Sequence, residues 1–146
     1  MSPDIFILMG ADACHHNGCI RPSKYLPIPS SIAPNPLTKT STTPCLGAVF
    51  EDLQTRRGRD KTQSFFDVPR EPAGLIAFFD VDEAISTQVK VQDADSQENV
   101  FVVMAHDESL MNIVDFFPKE ANDWKAKGWG KDGKWAFLQD FQGAIN

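Results

Sequence analysis

Val100-Phe-Val-Val-Met104 is the stretch that most constrains the fold. Its apolar residues run without a polar interruption, the pattern of a strand covered on both faces in a parallel sheet. Past its carboxyl end come Ala105, His106 and Asp107, then Leu110, Ile113, Val114 and Phe117 at helical spacing, with Pro118 to close the helix. An imidazole at the carboxyl edge of a parallel sheet stands where α/β proteins hold their ligands. A second apolar run, Ile5-Phe-Ile-Leu-Met9, ends alike: Gly10-Ala11 turns it into Asp12, with Cys14, His15 and His16 close behind. A lone histidine or aspartate at a strand end needs no role beyond a hydrogen bond. Two strands that each deliver a metal-ligating group from a carboxyl end, one carboxylate and one imidazole, point to a shared site.

The remaining elements are consistent with a layered α/β sheet. From Arg21 to Pro44, six prolines lie among serines and threonines, which predicts an extended surface loop, since proline fixes φ and removes donors. Leu26, Ile28 and Ile32 would pin that loop across the fold near the Asp12 end. Arg21 could pair with a substrate carboxylate, but a role in pinning the loop by hydrogen bonds has more weight. Thr43-Pro44 reads as an N-cap and first turn for a helix over Cys45–Gln54. Arg56-Arg-Gly-Arg59-Asp-Lys61 has no interleaved aromatic residue and reads as a solvated turn. Thr62–Val68 and Leu75–Phe79 read as strands or sheet-edge segments. Asp80-Val-Asp82-Glu83 opens a helix reaching about Val91. That helix, the strand from Val100 and a helix after Asp107 form an α-β-α run. Helix-cap and solvent roles suffice for Asp80, Asp82, Asp93 and Asp95. Trp124, Trp129 and Trp135 cap a core more readily than they stack on a sugar or base, and Asp132-Gly133 between them is a turn signal.

Composition narrows the function classes. A chain of 146 residues holds one ordinary core, so 1–146 reads as a single domain with 21–44 as a loop. The apolar share of 42% is ample for burial. A net charge of −6 and a pI near 4.9 argue against nucleic acid or an anionic membrane as partner, because either favours a basic face. No apolar run approaches membrane-spanning length. Ile5–Met9 is too short for a signal-peptide core and lacks a basic flank, so a cytoplasmic location is expected. A start methionine so close to an apolar strand suggests a chain shortened at its amino terminus. Three cysteines, Cys14, Cys19 and Cys45, are an odd count that fits a reducing compartment. The Cys14-His15-His16-Asn17-Gly18-Cys19 cluster invites a zinc knuckle, but its spacing follows no standard pattern and lacks a distant second ligand pair. Small, semi-buried filler is the plainer role for both of its cysteines. There is no Gly-rich nucleotide loop, nucleophile elbow or internal repeat.

Leu8-Met-Gly-Ala-Asp12, His15-His-Asn-Gly18, Arg21-Pro-Ser23 and the segment from Val100 through Trp135 resemble the carboxyl-terminal half of a metallo-β-lactamase-fold hydrolase, of a kind common in fungi. The likeness covers nearly the whole chain, with Thr38–Ala77 matching loosely. It implies half of an αβ/βα sandwich and the hydrolysis of an ester, lactone or thioester in a small-molecule substrate, with paired zinc ions generating hydroxide and polarising the carbonyl. By the same resemblance Asp12 would bridge the two metals, and His106 would complete the second ion. His15 would stand where related lactone hydrolases contact the carbonyl oxygen; His16 could exchange with it or brace the loop.

The family's His-x-His-x-Asp-His run, and a further histidine ahead of the bridging carboxylate, are missing from a sequence with three histidines. Asp12 and His106 alone supply two donors where catalytic zinc takes about three, so zinc is expected to be weak or absent in the isolated chain. Two functions remain open. One is a metal-dependent hydrolase completed by a missing N-terminal half or partner chain. The other is a non-catalytic half-domain that binds a partner or self-associates as a homodimer through an exposed sheet face.

Overall fold

The computed structural model describes residues 4–38, 40–69 and 80–145. Two strands, β1 (Phe6–Ala11) and β4 (Val100–Met104), pair in parallel with Phe6 opposite Val100 and Met9 opposite Val103. Their carboxyl ends therefore share one edge. A second small sheet pairs β2 (Ser31–Ile32) with β3 (Cys45–Leu46) in antiparallel fashion. The helices are α1 (Ala48–Arg56), α2 (Val81–Asp95), α3 (Trp129–Gly133) and α4 (Gln142–Ile145). The result is a mixed α/β structure built around a small parallel sheet.

The apolar run of β4 is covered on both sides, as its sequence requires. Val102 and Met104 pack on one face with Val91 of α2, Ile20 and Cys14. Phe101 packs on the other with Leu110, Trp124 and Trp129, and its ring stacks on Trp124 at 5.3 Å between centroids. The helix α2 begins where its acidic start predicts, with the Asp80 carboxylate accepting from the Glu83 N–H at 2.9 Å. It runs one turn past Val91 and ends at Asp95.

The matching run in β1 behaves differently. Leu8 packs against the Val102 cluster, but Phe6 is 54% exposed and Met9 80% exposed. Burial on both faces, expected from its lack of polar alternation, is therefore not met. The strand lies at the edge of its two-stranded sheet, and among the described residues its outer side has no neighbouring strand.

Four local expectations are corrected. After Asp107 there is a 3-10 turn at Glu108–Leu110 followed by further turns, not a helix. The Asp107 carboxylate caps that turn by accepting from the Ser109 N–H at 3.2 Å. A segment this short, closed by a proline, is too brief for helix propagation to offset nucleation. The helix placed over Cys45–Gln54 starts at Ala48 behind Gly47, because Cys45 and Leu46 are held in β3. Thr62–Val68 is irregular: the Asp60 carboxylate accepts from the Thr62 N–H and the Gln63 side-chain oxygen from the Asp60 N–H, so local side-chain bonds compete with a strand. Asp132-Gly133 lies inside α3 rather than in a hairpin turn. The strand expected at Leu75–Phe79 lies outside the described residues.

The proline-rich stretch is mostly irregular, as expected, and is pinned by its apolar residues. Ile28 and Ile32 enter a core with Phe50, Phe65, Phe137 and Leu138. Trp124 and Trp129 are buried and Trp135 packs half-buried against that core, in line with capping roles. Among the described residues no helix is long and apolar enough to cross a membrane.

Candidate metal centre

The site is built by an irregularity at the end of β1. Between Met9 and Ala11 the register slips, so that Ala11, not Gly10, stands opposite Met104. A Cβ on Gly10 would lie 2.3 Å from the Met104 Sδ, so glycine leaves room here for the end of the buried Met104 side chain. Ala11 has φ 44°, a left-handed conformation that costs an alanine about 1–2 kcal/mol. Two backbone bonds hold it: Ala105 N–H donates to the Ala11 carbonyl at 3.0 Å, and Ala13 N–H to the Gly10 carbonyl at 3.0 Å.

This turn aims Asp12 across the sheet edge. Its Oδ1 is 3.0 Å from His106 Nε2 and 3.6 Å from His15 Nε2. The two imidazoles meet edge to face, with centroids 4.9 Å apart. One ligating atom from each of Asp12, His15 and His106 lies within 4.8 Å of the others, and all three side chains are more than half exposed. The structure thus brings together the three residues singled out from the sequence. One carboxylate and two imidazoles suit a single zinc-type ion, leaving a position for water. Among the described residues no second such cluster is found, so a paired-ion centre has too few donors here.

His106 also divides two cavities. On one side lies an apolar cleft of about 510 Å³, whose walls include Met9, Val103, Met111, Phe116 and Trp129. On the other lies a polar recess of about 210 Å³ with Asn17, Asp107, Ser109 and Asp140.

His16 turns away from the cluster and braces the loop. Its Nδ1 accepts from the Gly18 N–H at 2.8 Å, capping the 3-10 turn Asn17–Cys19, and its Nε2 is 3.2 Å from an Asp140 carboxylate oxygen. Its ring stands edge-on to Phe66 and Phe137. Next to it, buried Asn17 donates to the Asp107 carboxylate, which ties this turn to the residue following His106.

Arg21 is buried at 3% exposure and takes no part in the open site. Its Nε and Nη2 each reach an Asp95 carboxylate oxygen at 2.7 Å, and its Nη1 donates to the Lys134 carbonyl at 2.9 Å. The Lys134 ammonium adds a bond to Asp95 at 3.2 Å. Burial pushes the Asp95 carboxyl up, but Arg21 and Lys134 outweigh it and hold the group below the ordinary carboxylate range. The same burial, together with the charge of Arg21, holds the Lys134 ammonium below its ordinary value. Loop pinning is therefore what Arg21 does. The solvent role assigned to Asp95 is corrected: it is 1% exposed. Nothing in the local spacing could reveal a partner 74 residues away.

The chain is similar along almost its whole length to segments of longer fungal proteins. It is 38% identical over 143 residues to a gamma-lactamase of Fusarium pseudograminearum (strain CS3096), covering 95% of this chain and 32% of that one. It is 37% identical over 146 residues to a metallo-hydrolase of Annulohypoxylon moriforme, covering 97% and 34%. It is 39% identical over 145 residues to a chain of Penicillium roqueforti (strain FM164) named as the cytochrome P450 monooxygenase mpaDE, covering 99% and 14%. The chain is thus similar to segments of proteins named as a gamma-lactamase and a metallo-hydrolase, in line with the resemblance read from its motifs. It spans about a third of the length of the two hydrolases and a seventh of the third protein, so a monooxygenase name there says nothing of this segment. No family model and no solved structure matches.

Proposed function

We propose that this chain is the carboxyl-terminal part of a metallo-β-lactamase-like hydrolase, forming half of the αβ/βα sandwich and one wall of its metal site. The observation that carries the reading is the convergence of Asp12, His15 and His106 at the carboxyl edge of β1 and β4. The names of the Fusarium and Annulohypoxylon relatives support it. Asp12 and His106 would hold the metal, with His15 as the third donor in the isolated chain. In a completed site His15 would be released to contact the carbonyl oxygen. A bound zinc ion would lower the pKa of its water and polarise a carbonyl. The chain's own contribution is to fix Asp12 and His106 through the β1 bulge and to offer the apolar cleft beside His106 to the body of the substrate. A cyclic amide is the substrate class that the name of the gamma-lactamase relative suggests.

Calorimetric zinc titration of the wild type beside His106→Ala, His15→Ala and Asp12→Asn tests this reading. One weakly held, chelator-removable zinc per chain is expected, weakened tenfold or more by each substitution, with little turnover of simple lactones or lactams. Zinc binding indifferent to all three changes would overturn it. A second reading, a non-catalytic chain that self-associates, is favoured by one observation, the exposure of Phe6 and Met9 on β1. Sedimentation at micromolar concentration would show a dimer that Met9→Lys dissociates, and a monomer in the wild type would remove that reading.

A further inference from the structure

The carboxylates of Asp107, Glu108 and Asp140 line the polar recess beside His106, a space of about 210 Å³. The side-chain donors around them are largely engaged. The Asn17 amide and the Ser109 hydroxyl both donate to Asp107. His16 accepts from the Gly18 N–H through Nδ1, which leaves its proton on Nε2, 3.2 Å from an Asp140 oxygen. Among the described residues no lysine or arginine lines the recess.

Asn17 adds a second, independent observation. It is 3% exposed, forms part of the recess wall and has its amide held by Asp107. Its side-chain oxygen, Oδ1, has no hydrogen-bond partner. Buried acceptors are rarely left so, because an unmade bond costs more than a made one gains. What that oxygen lacks is a donor.

A bare metal ion does not suit this recess. Among the described residues the one set of three ligating atoms within 4.8 Å of one another is Asp12–His15–His106, so no three of the carboxylates and imidazoles here converge on an ion. An anion would meet three like charges. A primary ammonium group matches on both counts, since it is positive and carries three donors and no acceptor. The apolar cleft of about 510 Å³ shares His106, Asp107 and Glu108 with the recess, so one ligand can enter both.

We propose that the recess is a subsite for a primary ammonium group, carried on a short arm by a ligand whose apolar body lies in the neighbouring cleft. The carboxylates of Glu108 and Asp140 and the Asn17 oxygen accept its N–H bonds, and Asp107 holds the Asn17 amide so that the oxygen stays available. The inference rests on the hydrolase reading only in calling that ligand a substrate.

The test is amide NMR of the isotope-labelled, zinc-free full chain, titrated with phenethylammonium and, in parallel, with hydrocinnamate, its anionic match in size and shape. Saturable shifts at Asn17, Ser109 and Gln139 are expected with the ammonium, and binding of the carboxylate should be roughly tenfold weaker. Asp140→Lys, at an exposed position outside the metal cluster, should abolish the preference for the cation. Equal affinity for the two probes, shifts confined to Met111 and Phe116 in the apolar cleft, or an Asp140→Lys chain that still prefers the ammonium would overturn the proposal. The two wild-type titrations decide alone if the variant fails to fold. A chain that binds the ammonium but no zinc loses the metal reading and keeps the subsite; one that binds zinc but not the ammonium loses the subsite only.

Discussion

Two charged clusters gather residues from distant parts of the chain, and they could hardly differ more in what surrounds them. At Arg21–Asp95–Lys134 the guanidinium and the carboxylate are dry and face to face, and the guanidinium also reaches a backbone carbonyl. At Asp12–His15–His106 one carboxylate lies between two imidazoles, and all three groups remain open to solvent. The first cluster has used its bonding capacity on the fold. The second keeps lone pairs in reserve and sits on a strained turn, the combination found where structure is spent on binding rather than on stability.

The sharpest way to break this comparison is to remove one partner from the buried pair. Arg21→Ala leaves the buried Asp95 carboxylate with Lys134 as its one remaining cation and should cost about 3–5 kcal/mol in urea unfolding. Arg21→Lys should restore little, because an ammonium cannot reproduce the two-pronged contact. Acid gives the next largest effect. Asp95 is held below its ordinary value of 3.8 in the folded chain, so its stabilisation is complete above that value and lost as pH falls through the lower, folded one. Urea midpoints measured from neutral pH downward should fall in that acid window, and Asp95→Asn should flatten the fall.

Histidines separate the two roles at smaller amplitude. His16→Ala removes a turn cap and should cost about 1 kcal/mol while leaving zinc affinity unchanged; His15→Ala should do the reverse. A stability loss in both, or a zinc loss in both, would erase the distinction between bracing and ligating. Smallest of all, Asp12→Asn should shift metal-free stability by no more than about 0.5 kcal/mol. A loss of the Arg21→Ala size at this exposed position would mean that the open cluster also holds the fold together.

What the sequence made legible follows the same division. The two apolar runs and the groups at their ends could be read because strand burial and the placement of strand ends are local signals, and Asp12, His15 and His106 do converge. The helix opened by Asp80 was legible through its cap. The helix after Asp107 was not there, because its apolar spacing serves packing in successive turns, with Leu110 buried and Phe117 almost fully exposed. The exposure of β1 could not be read either, since an apolar run states what a strand prefers and not whether a cover is present. Asp95 looked like one more acidic residue near a helix end, because its partner is defined by the tertiary fold.

The slip between Met9 and Ala11 has a consequence for which changes of chain length the site can tolerate. Side chains along a strand alternate like odd and even numbers, and β1 takes two steps where β4 takes one. That extra step changes the parity of everything downstream. Deleting either Gly10 or Ala11 would leave Leu8 in its place in the core and yet swing the carboxylate to the opposite side of the sheet, away from His106. The chain would still fold by the same apolar contacts, but the bearing of Asp12 would be reversed. For this edge, counting residues matters as much as choosing them.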